Sequence, residues 1–291
     1  LQNQSRIAVS GLMGLLFAVC LAAAPSYGEH WPRFGGIKGD FHSSEKNVPV
    51  RWGADDIAFR VEVEGLGQSS PVIWGERLFL TSADEDGSQR HVWCLNALDG
   101  RVIWRKSVPT NSKEQLHKMN SYATPSCATD GERVVAFFGA AGLHCFDMDG
   151  NTIWSRDLGE FPFIWGVAAS PVIIDDMVVQ NCDAIGPSRL VALDKKTGEM
   201  LWETKRLDKP RGGWCTPILI DTGARKELVI NGEFGVKGYD PKTGEELGFC
   251  TSVNGRGTPL PAFAHGLVIT INGKPGDIYA VKPGGNGDVT D

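Results

Sequence analysis

Apolar residues along the chain fall in short runs broken by polar, glycine-containing turns, and the periodicity within the runs is two, not 3.6. Ile57-Ala58-Phe59-Arg60-Val61-Glu62-Val63 alternates apolar with polar and predicts a half-buried strand. Pro71-Val72-Ile73-Trp74, the turn Gly75-Glu76 and the run Arg77-Leu78-Phe79-Leu80-Thr81 predict a pair of antiparallel strands. A third strand follows, then a polar turn closed by glycine, and a fourth strand that ends on tryptophan. The clearest such hairpin is Ala192-Leu193-Asp194-Lys195-Lys196-Thr197-Gly198-Glu199-Met200-Leu201-Trp202.

That hairpin recurs. Residues 97–104 (Ala-Leu-Asp-Gly-Arg-Val-Ile-Trp) read as the same unit with a shorter turn, and residues 147–154 (Asp-Met-Asp-Gly-Asn-Thr-Ile-Trp) as another. Tyr239 to Leu247 is a fourth copy with Gly248-Phe249 where tryptophan should stand, and a fifth begins at Ile278 without a tryptophan strand. Each unit opens on Ser or Thr followed by proline: Ser70-Pro71, Thr124-Pro125, Ser170-Pro171, Thr216-Pro217 and Thr258-Pro259, the prolines 54, 46, 46 and 42 residues apart. Four short strands at this period predict the blades of a β-propeller. A single four-stranded sheet with two apolar faces must pack between neighbours. Trp104, Trp154 and Trp202 are therefore expected to dock one blade on the next, each ring lying where the neighbour's hairpin glycine leaves room.

Composition agrees with a folded domain: the 291 residues are 42% hydrophobic and 22% charged. The net charge of −6 offers no basic surface for nucleic acid. Arg6 followed by the apolar run Ile7 to Ala24 and by Ser26-Tyr27-Gly28 reads as a secretory signal over residues 1–28, so the protein is expected in the periplasm or cell envelope. The mature chain holds no apolar run of membrane-spanning length. Residues 29–49 read as an irregular leader lying over the domain, and 50–291 as the propeller. Six cysteines follow the signal, widely spaced and mostly within apolar runs, and they read as small buried residues without a disulfide or metal framework.

With Ala-Leu-Asp-x-x-Thr-Gly-x-x-Leu-Trp at 192–202 and its partial copies, the chain resembles the pyrroloquinoline-quinone-like (PQQ-like) propeller superfamily. That superfamily includes quinoprotein dehydrogenases, the outer-membrane assembly lipoprotein BamB and exported propellers of planctomycete-type bacteria. The leader Trp31-Pro32-Arg33-Phe34-Gly35-Gly36 and the segment Lys282 to Thr290 resemble the last group. The resemblance implies seven or eight four-stranded blades. About five are present, and the expectation is an all-β propeller that forms part of a larger ring. A five-bladed ring, closed by 57–63 as the missing fourth strand, is the competing arrangement.

Function is sought at the sites. A quinoprotein dehydrogenase needs cationic and polar side chains around a tricarboxylate, a Ca²⁺ site and an Asp base. The resemblance adds a disulfide between adjacent cysteines, and this chain has no adjacent cysteines. Asp99, Asp149, Asp194 and Asp240 lie in hairpin turns, where the carboxylate caps local N–H groups. Asp84-Glu85-Asp86-Gly87 reads as a solvated turn, and the six histidines show no metal-ligand spacing.

The segments entering each unit's first strand should line one mouth of the channel: Gln68, Asn120, Tyr122, Trp165, Arg211, Trp214 and Arg256. The insertion Lys106 to Ser121 carries His117 toward the same mouth. The sequence thus points to an exported, non-enzymatic binding or scaffold propeller, for a protein partner or small ligand, with no cofactor. An assembly-factor-like role is its most concrete form, and a PQQ- and Ca²⁺-dependent oxidoreductase is the alternative.

Overall fold

The computed structural model describes residues 28–290 apart from 47, 113, 163, 208–211, 252–256 and 272–275. The signal assigned to 1–28 lies outside the described residues except for Gly28. Among the described residues there is no α-helix, only two 3-10 turns. Three complete four-stranded antiparallel blades come first. Blade 1 is β1 (Val72–Trp74), β2 (Arg77–Ala83), β3 (Gln89–Asn96) and β4 (Val102–Pro109). Blade 2 is β5 (Ala128–Thr129), β6 (Arg133–Phe137), β7 (Leu143–Asp147) and β8 (Thr152–Arg156); blade 3 is β9 (Val172–Ile174), β10 (Met177–Cys182), β11 (Ser188–Asp194) and β12 (Met200–Leu207).

Blade 4 comprises β13 (Ile218–Asp221), β14 (Lys226–Gly232), β15 (Gly235–Tyr239) and β16 (Glu246–Thr251), and blade 5 has three strands, β17 (Ala262–Ala264), β18 (Leu267–Ile271) and β19 (Ile278–Val281). The chain then returns to blade 4, where β20 (Gly287–Asp288) pairs in parallel with β16. Gly248 makes this possible. A Cβ there would lie 2.9 Å from Gly285 O, so glycine at the tryptophan position leaves the room that β20 occupies.

The core is a series of seams between blades. Val134 and Ala136 of β6 pack with Phe79 and Val92 of blade 1, whereas Val135 and Phe137 pack with Val178 and Val191 of blade 3. In β11, Val191 and Leu193 face blade 2 while Leu190 and Ala192 face blade 4. Both faces of β6 and of the centre of β11 are buried, so these strands read as continuous apolar runs despite strict alternation. Cys94, Cys127, Cys145, Cys182, Cys215 and Cys250 are free thiols, and all six are buried, the position the sequence led us to expect for them.

Tryptophan and glycine dock as the repeat implied. Trp104 lies on Gly150, Trp154 on Gly198 and Trp202 on Gly244, each ring against the next blade's hairpin. A Cβ on Gly198 would sit 2.6 Å from Trp154 Cδ2. Trp104 Nε1 also donates to Met148 O (2.8 Å) and Trp154 Nε1 to Lys195 O (3.0 Å). The register breaks beside the turn of each hairpin, at Cys94/Leu95, Cys145/Phe146, Ala192/Leu193 and Gly238/Tyr239, and β11–β12 has a second break at Ser188/Arg189. Such a bulge adds local twist and re-aims the side chains beside it.

Two details of the sequence reading change. The first hairpin is not shorter than the third: Asn96, not Asp99, takes the place of Asp194, accepting from the N–H of Leu98 and Asp99 as Asp194 accepts from Lys196 and Thr197. Residues 57–63 form no strand. Phe59, Val61 and Val63 are half-buried and their neighbours exposed, as the alternation required, yet the segment has no ladder partner. Phe59 and Val61 cover Gly100 as tryptophan covers the later hairpin glycines, each reaching within 2.5 Å of a Cβ built there. The leader follows the innermost strands: Trp31 exchanges backbone hydrogen bonds with Ile73, Pro32 O accepts from Thr129 N, and Arg33 donates to Pro217 O.

Candidate functional site

A chain of hydroxyls fixes where each blade meets the axis. Ser70 N donates to Ser126 Oγ (2.8 Å), Ser126 N to Ser170 Oγ (2.9 Å) and Ser170 N to Thr216 Oγ1 (2.9 Å). In blade 2 the belt residue is therefore Ser126, not Thr124. Each belt hydroxyl stands two residues before its first strand, and by that count Leu260 takes the position in blade 5. Thr124-Pro125 and Thr258-Pro259 thus lie two residues ahead of the true repeat.

With the register corrected, the residue two before the belt position is Gln68, Thr124, Ala168, Trp214 and Thr258 in blades 1 to 5. All five line one open pocket of about 390 Å³, together with His117, Met119, Asn120 and Trp165. The wall is cross-braced. Gln68 Nε2 donates to Met119 O (2.7 Å), and Gln68 Oε1 lies 3.0 Å from Thr124 Oγ1. Asn120 Nδ2 donates to Trp165 O (2.5 Å), and its Oδ1 accepts from Ser121 N (2.9 Å) and from the Thr124 hydroxyl. Trp214 Nε1 donates to Gly166 O (2.7 Å), and the His117 ring lies 4.2 Å from that of Trp165 with the planes 35° apart.

A second layer holds these segments. Thr81 Oγ1 donates across the seam to Pro125 O (3.1 Å), and Asn181 Nδ2 to Cys215 O (3.0 Å). Behind Trp214, Arg206 Nε donates to Asp183 Oδ1 (2.8 Å) and Arg206 Nη1 to Tyr239 Oη (2.8 Å), with both members of the ion pair buried. Burial opposes the charge of Arg206, but the facing carboxylate outweighs it and holds the guanidinium pKa above its ordinary value. Burial pushes the Tyr239 phenol up to about 12. A Cβ on Gly213 would lie 2.5 Å from Asp183 Oδ2, so this pair sets how closely the backbone before Trp214 approaches.

Of the residues expected at the mouth, Gln68, Asn120, Trp165 and Trp214 meet in the pocket. Tyr122 does not. It faces away, beneath the Arg90 guanidinium (4.2 Å), and its hydroxyl donates to Glu114 O (3.2 Å). Arg211 and Arg256 lie outside the described residues. Sequence reasoning missed Met119, Thr124, Ala168 and Thr258. The signal that finds three of them is the fixed offset from the first strand, once the strand starts are known.

The described lining of the pocket does not supply what a quinone cofactor with its metal needs. No Asp, Glu, Lys or Arg lines it among the described residues, so a tricarboxylate finds no countercharge and Ca²⁺ no carboxylate. The described residues hold no His/Cys/Asp/Glu cluster suited to a metal. Asp84 instead accepts from His91 Nε2 (3.0 Å) and Ser88 Oγ (3.0 Å), and so serves its own turn.

Radially stacked four-stranded blades with a hydroxyl belt and tryptophan–glycine seams define a β-propeller of PQQ-like repeats, four blades and a three-stranded fifth among the described residues. Residues 50–180 and 123–249 match the family described as outer membrane protein assembly factor BamB, and the chain belongs to that family. No curated protein matches the sequence. Among solved structures, BamB from Moraxella catarrhalis is similar at 20% identity and a TM-score of 0.55, covering 79% of this chain and 62% of that one. Quinohemoprotein alcohol dehydrogenase from Comamonas testosteroni is similar at 12% identity and a TM-score of 0.65, covering 88% of this chain and 48% of that one. A quinohemoprotein alcohol dehydrogenase from Pseudomonas putida gives 14% identity and 0.59, with coverage of 77% and 42%. The chain thus spans less than two thirds of each of these proteins, and at such identities they share its fold.

Proposed function

We propose that this chain is an exported binding or scaffold propeller of the cell envelope, whose site is the channel mouth and whose role resembles that of an outer-membrane assembly factor. One observation carries the reading: five blades each place the same repeat position in a single pocket, and that pocket is walled by aromatic and neutral side chains. Loops braced by a rigid scaffold are where binding residues concentrate, and membership of the BamB family supports a protein-binding role. No helix among the described residues is long and apolar enough to cross a membrane. The alternative, a PQQ-dependent oxidoreductase, draws support from the shared fold of the quinohemoproteins, while the absence of Asp, Glu, Lys and Arg from the described lining opposes it.

The test is site-directed photo-crosslinking in intact cells, with the crosslinker at Met119 on the mouth or at Ile153 on the outer strand of blade 2. Both side chains are exposed. The reading expects a discrete adduct from position 119 and none from 153. Adducts from 153 alone would move the interface to the rim of the blades.

A further inference from the structure

Taking the mouth as the binding site, we propose that it accepts an uncharged aromatic side chain presented by an extended polypeptide segment. Most polar side chains of the wall already have hydrogen-bond partners, largely on the backbone. Gln68 is tied to Met119 O and Thr124, Asn120 to Trp165 O and Ser121 N, Trp214 Nε1 to Gly166 O, and His117 Nδ1 accepts from Met119 N at 3.2 Å. A ligand rich in hydroxyls would have to break these bonds to gain its own, and buried groups left unpaired are costly. An ionised ligand would lose its hydration and meet no countercharge among the described lining residues.

What the wall does offer is ring surface and thioether: Trp165, His117, Trp214 and Met119, with Ala168 leaving space between them. Aromatic rings gain from such neighbours through offset or edge contacts, and sulfur at a ring edge adds to this. The rim decides between a free small molecule and an anchored ring. Met119 is 68% exposed, and Gln68 and Thr258 are exposed beside it, so the opening is wide. Sites for small ligands enclose most of the ligand surface, about 70–90% of it. An open cleft of about 390 Å³ instead suits one large side chain whose backbone stays at the rim, the way an aromatic anchor fills a pocket at a protein interface.

The experiment uses the full chain and three trifluoroacetyl-capped pentapeptides identical except at the centre, which is tryptophan, serine or glutamate, with binding read by ¹⁹F NMR titration. The tryptophan peptide should bind saturably and at least about tenfold more tightly than the other two. Met119→Glu and Thr258→Glu each put a charge on the rim at an exposed position, and each should weaken it by about tenfold with unchanged thermal melts. Equal or tighter binding of the serine or glutamate peptide, or of maltotriose, overturns the aromatic assignment, as does no binding of any peptide. Those outcomes leave the mouth reading standing if the position-119 crosslink persists. Loss of that crosslink is what removes the mouth reading itself.

Discussion

Trp154 and Gly198 offer a direct measure of what holds one blade to the next. The ring is 6% exposed, and the glycine beneath it has φ +70° with no room for a methyl group. Trp154→Ala removes a buried indole and its bond to Lys195 O, a change worth about 3–5 kcal/mol. Gly198→Ala has two costs. An L-residue in the left-handed region costs roughly 1–2 kcal/mol, and forcing a methyl against the ring adds about 1–3 kcal/mol of overpacking. Gly223 separates them, because it has φ +83° and nothing within 4 Å of its Cβ, so Gly223→Ala carries the backbone cost alone. In the double variant Trp154→Ala/Gly198→Ala the clash has no partner, so the total should fall short of the sum by about 1–3 kcal/mol. Urea melts followed by far-ultraviolet circular dichroism read all four proteins without relying on the tryptophan that is removed. If Gly198→Ala is no worse than Gly223→Ala, or if the double variant is additive, the seam is not held by this contact.

Arg206→Met should destabilise by about 3–5 kcal/mol, because it strands the buried Asp183 carboxylate, while the pair Arg206→Met/Asp183→Leu should recover most of the loss; a double variant as unstable as the single would contradict this. Acid should weaken the hairpins. A side-chain bond from Asn151 holds the Asp147 carboxyl below its ordinary pKa, and the backbone N–H of Thr197 and then of Lys196 does so for Asp194. Their contribution is present above the unfolded-state value of about 3.9 and lost as pH falls through the folded value, so Asp147→Asn/Asp194→Asn should have a flatter acid limb in pH-dependent melts. Burial pushes the thiols of Cys94, Cys127, Cys145 and Cys215 up to about 12. They should resist Ellman's reagent in the native protein and react on unfolding, and rapid native labelling of these four would count against the packed seams.

The sequence revealed the seams and misplaced part of the mouth, for related reasons. Tryptophan four residues after glycine is a rigid local offset, kept at 100 and 104, 150 and 154, and 198 and 202, and it survives any error in strand boundaries. The Ser/Thr-Pro cue is weaker, because the same dipeptide occurs two residues early at Thr124 and Thr258. A shift of two keeps every side chain on its face, so hydrophobic alternation cannot reveal it. Tyr122 is read on that shifted register, and Thr124 occupies the position intended for it. Alternation also reported which side of 57–63 is covered, but not that no strand lies beside it. The Arg206–Asp183 pair joins residues 23 apart through the fold of blade 3, and no local pattern announces it.

The measurement that bears most directly on the central claim is a titration of the full chain with PQQ and Ca²⁺, following cofactor absorbance and dye reduction together. A mouth whose described lining carries no Asp, Glu, Lys or Arg should give no saturable uptake and no turnover with alcohols or aldehydes. Stoichiometric uptake accompanied by dye reduction would contradict the account and assign the same mouth to redox chemistry.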